Sequence, residues 1–229
     1  MNLNHVVIVF QLIAFLFAIS FHESAHAWMA NRCGDPTARM LGRITLNPIK
    51  HIDPIGTVLL PAIAAFAHQP VLGWAKPTPV NPNNFQNPVS DDILTSVVGP
   101  ISNFVVAGGA LVLLALVSLT SSTGHTLVVN YYAFRIGILP LPESPLLPLV
   151  FFLNEMMRTN IVLGVFNLIP VPPLDGSHVL RHFLSDSARR AYDTIGIFGL
   201  IALVYLGGGL LSALYSPPIR FFNWILTSI

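Results

Sequence analysis

Apolar residues along this chain gather into long runs, separated by short stretches dense in proline, glycine and charge. The first run, Val6 to Ala30, makes a helix of roughly 37 Å at 1.5 Å per residue, enough to cross a bilayer core with some tilt. Asn31-Arg32-Cys33-Gly34-Asp35-Pro36 ends it. Ile93 to Leu119 predicts a second span and Leu149 to Ile169 a third, closed by Pro170-Val171-Pro172-Pro173. Leu174-Asp175-Gly176-Ser177 then opens a short helix to about Leu184. A fourth span is expected over Ile195 to Leu214, where Gly207-Gly208-Gly209 favours close packing, and Pro217-Pro218 precede an aromatic tail expected at the membrane surface.

The stretches between the spans carry different patterns. Gly42-Arg43-Ile44-Thr45-Leu46-Asn47-Pro48 alternates polar and apolar residues, the period of a strand. Ile55 to Ala67 is apolar but short for a span and is broken by Pro61, which predicts a re-entrant segment. Prolines between Gly73 and Pro82 exclude helix and favour extended backbone. Residues 121–149 read as an interfacial connection bearing Tyr131, Tyr132 and Arg135, too short for a domain of its own.

Composition agrees with the pattern. Only 9% of the 229 residues are charged, against about 25% in soluble domains, 53% are hydrophobic, and the mean hydropathy is +0.69. The expectation is a single all-α polytopic membrane domain over 1–229: a three-helix core, one further transmembrane helix, and a small extended/β and re-entrant segment. The first span is expected to be a retained anchor, because cleaving it as a signal would discard the histidines it carries. A net charge of +1 with no basic cluster excludes nucleic acid as a partner. Cys33, the only cysteine, allows no internal disulfide and reads as structural. Arg32, Arg39, Arg43, Lys50 and Lys76 fall on one side with Arg181, Arg189 and Arg190 if 55–67 does not cross, while Arg135 and Arg220 fall on the other. The positive-inside rule puts the richer side in the cytoplasm of a cell (inner) membrane.

Against this apolar background His22-Glu23-x-x-His26 stands out. Residues four apart share a helix face, so both imidazoles can reach one metal ion, and Glu23 lies close enough to activate water. Three ionisable groups in five residues are expensive inside a bilayer, at about 2.5–3.5 kcal/mol each on insertion scales, which argues for partners or a task. His26 is six residues from Arg32, so the metal lies roughly 10–15 Å below one membrane face. Tetrahedral zinc then lacks a ligand. Asp175 is the first choice, because it sits at a helix break on the same side, although an Asp there also suits a helix cap. His178, His182, His51 and Asp53 are the other candidates. Asn103 and Asn167, polar groups in apolar helices, would either hold substrate backbone or bond between helices.

Taken together, His22-Glu23-x-x-His26, Gly34-Asp35-Pro36-Thr37-Ala38, Gly42-Arg43-x-Thr45-Leu46-Asn47-Pro48, His51-Ile52-Asp53-Pro54-x-Gly56-Thr57, Gly73-Trp74-Ala75-Lys76-Pro77, Gly99-Pro100-x-x-Asn103 and Asn167-Leu168-Ile169-Pro170-x-Pro172-Pro173-Leu174-Asp175-Gly176 resemble the site-2 protease family of intramembrane zinc metalloproteases. The chain is similar to the short branch, with no stretch for a PDZ or CBS domain, and it has Thr78 where that resemblance leads one to expect Val. The resemblance implies one zinc on His22, His26 and Asp175, Glu23 as the catalytic residue, and a membrane-protein or peptide substrate with a transmembrane segment, met within the lipid bilayer. The rival readings are an inactive homologue that binds transmembrane segments without cutting them, and a membrane metal transporter. An inactive homologue should have lost Glu23, and a transporter should carry acidic groups or histidines along a path through the bilayer. Lys76 to Pro82, extended and on the side of the metal, suits the holding of a substrate as an added strand.

Overall fold

The computed structural model describes residues 3–59, 63 and 74–229. Helix α1 (Leu3–Arg32) contains no glycine or proline. It stops where Gly34 takes φ 104, a left-handed conformation open to glycine, and a Cβ there would meet the Asn84 carbonyl at 2.9 Å. A short α2 (Thr37–Met40) follows. α3 (Pro88–Thr120) starts with proline in its first turn, where no N–H is needed. α4 (Ser122–Arg135) is capped by the Ser121 side chain, which accepts from the Gly124 N–H at 3.2 Å. α5 (Leu147–Asn167), α6 (Asp175–Arg181), α7 (Asp186–Leu206) and α8 (Gly208–Thr227) complete the chain.

α1, α3 and α5 pack on one another and are the three described helices long and apolar enough to cross a membrane. Small residues bring them close: Ala14, Ala18, Ala107 and Ala110 are buried, and a Cβ on Gly164 would stand 3.1 Å from the Phe104 ring. Leu114, Phe151, Met157 and Ile161 fill the space between, while Val105, Val112 and Leu116 face outward, as a lipid-facing surface requires. The chain is an all-helical membrane protein.

Three expectations need correction. Among the described residues there is no strand, and Gly42–Asn47 runs as turns and bends. Its alternation had the wrong cause: Arg43 is buried while Ile44 and Leu46 are exposed, so the polar residue is the inward one. The 121–149 connection is largely helical, because Leu127, Val128 and Tyr131 give α4 one apolar face to bury. α8 runs through Pro217 and Pro218, with Ile219 and Leu226 buried in the core and Phe221 and Trp224 exposed. The fourth apolar run is two helices, α7 and α8, bent by 77° at Gly207.

The 55–67 segment lies mostly outside the described residues, apart from the helical turn Pro54–Leu59 and Ile63. Its flanks are joined: Trp74 donates its N–H to the Gly56 carbonyl at 3.2 Å, and the Thr57 hydroxyl donates to the Trp74 carbonyl at 2.7 Å. From Trp74 to Asn81 the backbone is irregular, and Phe85 packs on Ala30 and Cys33.

Candidate metal centre

One helical turn separates His22 from His26, so both rings leave the same face of α1 and are buried. Their Nε2 atoms lie 3.0 Å apart, with the ring planes at 84°. Asp175, the first residue of α6, brings Oδ2 to 3.1 Å from His22 Nε2 and Oδ1 to 3.4 Å from His26 Nε2. Two glycines make room. A Cβ on Gly99 would fall 2.3 Å from His26 Nε2, and one on Gly176 would fall 2.3 Å from the Leu168 carbonyl against which α6 is seated. The cap position of α6 belongs to Leu174, so the Asp175 carboxylate is directed to the histidines instead.

The other ring nitrogens fix how each ring is turned. His26 Nδ1 lies 2.6 Å from the Thr95 carbonyl, which can only accept, so His26 carries its proton on Nδ1. His22 Nδ1 lies 2.7 Å from Asn103 Oδ1. That amide is oriented by its other end, since Nδ2 donates to Asn160 Oδ1 at 2.8 Å and to the Ala18 carbonyl at 3.3 Å. Asn160 in turn donates its own Nδ2 to the Met156 carbonyl at 2.8 Å. Each link has one possible direction, and the chain ends with His22 also protonated on Nδ1. In their neutral form both rings turn the Nε2 lone pair inward, toward Asp175, whose Oδ2 is buried 3.1 Å from His22 Nε2. Three groups able to ligate a metal converge within 4.8 Å. A bound cation or a second proton on a ring would satisfy that arrangement, and two imidazoles with a carboxylate make a donor set that zinc accepts.

Glu23 lies beside this cluster and is held by the 74–86 segment. Thr78 donates its N–H to Glu23 Oε2 at 2.9 Å and its hydroxyl to the same oxygen at 2.7 Å. The segment is pinned on both sides of Thr78. The Arg43 guanidinium binds the carbonyls of Lys50 and Lys76, and the Lys76 N–H donates to the His51 carbonyl at 2.8 Å. Beyond it, Asp35 accepts the Asn81 N–H at 2.7 Å and Asn84 Nδ2 at 2.8 Å. Burial alone would raise the Asp35 pKa, but the donors from Thr37, Asn81 and Asn84 outweigh it and hold the carboxyl below its usual value.

The remaining candidates lie elsewhere. His51 is fully buried and its Nε2 donates to the Thr45 carbonyl at 2.8 Å; burial and the Arg43 charge keep its pKa low and the ring neutral. Asp53 Oδ1 caps the next turn, accepting from Ile55 and Gly56. His182 Nε2 sits 2.7 Å from Asp92 Oδ2, and His178 Nδ1 3.7 Å from Asp92 Oδ1, so these pairs tie α6 to α3. Among the described residues Asn167 bonds only back to the Leu163 carbonyl. Sequence reasoning missed Thr95, Gly99 and Asn160. Gly99 and Asn103 at least stood in one motif, whereas Thr95 acts through a carbonyl that every residue possesses.

The family model described as "Peptidase family M50" matches residues 10–206. The chain is 34% identical over 197 residues to the "Putative zinc metalloprotease YwhC" of Bacillus subtilis (strain 168), covering 86% of this chain and 79% of that one. Proteins of the same designation named Rip2 are 28% identical in Mycolicibacterium smegmatis and 26% identical in Mycobacterium tuberculosis (strain H37Rv), each over 87% of this chain and 67% of theirs. No solved structure matches. With a zinc-fitting donor set inside an all-helical membrane fold, and a family match over most of its length, the chain belongs to peptidase family M50, the zinc-dependent site-2 protease family.

Proposed function

We propose that this protein is an intramembrane endopeptidase that hydrolyses peptide bonds in or near transmembrane segments, with one zinc on His22, His26 and Asp175 and with Glu23 as general base. The observation that carries this reading is the convergence of two imidazoles and a carboxylate within 4.8 Å beside a glutamate. Zinc, when bound, supplies Lewis acidity toward the scissile carbonyl and makes water a stronger acid. Glu23 takes the proton of the attacking water and returns it to the leaving amine. Asn103 and the Thr95 carbonyl keep both imidazoles turned inward, and Gly99 keeps the space before them open. Asn103 thus serves His22 rather than the substrate.

A substrate helix hides its carbonyls in its own hydrogen bonds, so it must be drawn out before it is cut. The Lys76 to Pro82 stretch supports this step. Among the described residues Val80 leaves both its N–H and its carbonyl without a partner, a place for substrate backbone to bond. The junction of Trp74 with Gly56 and Thr57 returns the chain to where it left, which supports an active site near the cytoplasmic face with Arg32, Arg43, Lys50, Arg181 and Arg189 on one side.

The test is purified protein in liposomes with a model transmembrane substrate. About one zinc per chain and cleavage are expected, and Glu23→Gln should keep zinc while lowering kcat about 10²- to 10⁴-fold. Metal uptake that depends on Glu23, without cleavage, would replace this reading with the transporter, and binding without cleavage would replace it with the inactive homologue.

A further inference from the structure

We propose that Thr78 is a positioning residue for Glu23, fixing which carboxylate oxygen is free to meet water; this rests on the reading of Glu23 as general base. Both Thr78 donors reach Oε2, the N–H at 2.9 Å and the hydroxyl at 2.7 Å, the shorter of the hydroxyl's two contacts, since the Glu23 carbonyl lies 3.0 Å from it. Oε1 makes no hydrogen bond to any described residue. A glutamate on an open helix face has several rotamers, and two bonds to one oxygen select among them and aim the other oxygen.

The donor itself is held in place. Pro77 and Pro79 flank Thr78, so its backbone is confined to extended conformations and neither neighbour offers a competing N–H. On one side Lys76 is fixed by Arg43 and His51, and on the other Asn81 is fixed by Asp35. The segment is thus a rigid bracket with Thr78 at its centre. Valine, the residue that the family resemblance leads one to expect, would keep the shape and the N–H but lose the hydroxyl. In this chain the grip on Oε2 is double where valine would leave it single.

The experiment uses the full-length, zinc-loaded protein with Thr78→Val and Thr78→Ser, reading zinc content, thermal stability, kcat and KM. Thr78→Val should lower kcat about tenfold, leave zinc content and stability unchanged and move KM less than about twofold, and Thr78→Ser should restore kcat. Wild-type kcat in Thr78→Val, or equal losses in both variants, overturns the proposal. A second readout needs no turnover. Hydrogen exchange at the Thr78 amide should accelerate in Glu23→Ala while Lys76 and Asn81 stay protected, and unchanged protection at Thr78 also overturns the proposal. A wild type that binds zinc but cuts nothing would instead remove the protease reading, with the exchange result still deciding whether the bracket holds Glu23.

Discussion

Two polar clusters are buried in the same helical core, and they are built on opposite principles. Around Glu155, which is 1% exposed, the carboxylate faces donors: Tyr131 donates its hydroxyl to Oε1 at 2.5 Å and Arg135 Nε lies 3.6 Å from the same oxygen. Around His22 and His26 the outer ring nitrogens are bonded, but the centre holds two imidazole nitrogens and a carboxylate facing one another. Burial of charge is common to both, so burial does not distinguish a site from a fastener. What distinguishes them is the unanswered valence, since a structural cluster has no reason to leave lone pairs converging in a medium that penalises each of them.

The sharpest way to break this comparison is Asp175→Ala. It removes one of three donors, and zinc should fall from about one per chain to a trace, with cleavage lost; metal analysis that still finds one zinc would reassign the third donor. Next is the outer network. Asn160→Leu leaves Asn103 free to turn, and zinc affinity should fall about tenfold, the low end for outer-shell changes, as read by competition with a chelator. Glu155 supplies the contrast. Glu155→Ala should leave zinc and kcat alone but lower stability by about 2 kcal/mol, discounted because Arg135 is partly exposed, whereas Glu155→Leu with Tyr131→Phe should come close to neutral. A zinc deficit in Glu155→Ala would erase the distinction.

The smallest expected effect is one of pH. Because the Asp35 carboxyl is held below its usual value, its stabilisation of the 74–86 segment is complete above the unfolded value near 3.9 and fades as pH falls through the lower folded one. Proteolytic nicking of that segment should be slow from about pH 5 to 8 and rise below about pH 4. Asp35→Asn should be nicked faster already at neutral pH, reflecting about 1 kcal/mol of lost bonding.

Legibility followed the kind of signal involved. α1, α3 and α5 were visible because a membrane span is a property of composition over some twenty residues, and their observed ends, such as Pro88 for an expected Ile93, differ by a few residues at caps and frays. α4 was not visible, since its helicity depends on having α3 and α5 to bury Leu127 and Tyr131 against. Alternation at Gly42–Pro48 misled because the inward residue is an arginine that binds carbonyls of two distant segments, a contact with no local trace.

By itself, the sequence determined the medium and the chemistry available: apolar runs long enough for a bilayer, and a helical His-x-x-x-His pair that geometry alone puts on one face. Only the tertiary structure decided which partner completes that pair, because Asp175 lies 149 residues from His26 in the chain and no local rule separates a ligand from a cap. It also decided which nitrogen of each ring faces the cluster, which is fixed by a carbonyl of α3 and by two amides on separate helices. Such contacts depend on how helices meet, and the pairing of helices is written in the shapes of buried surfaces rather than in the order of residues.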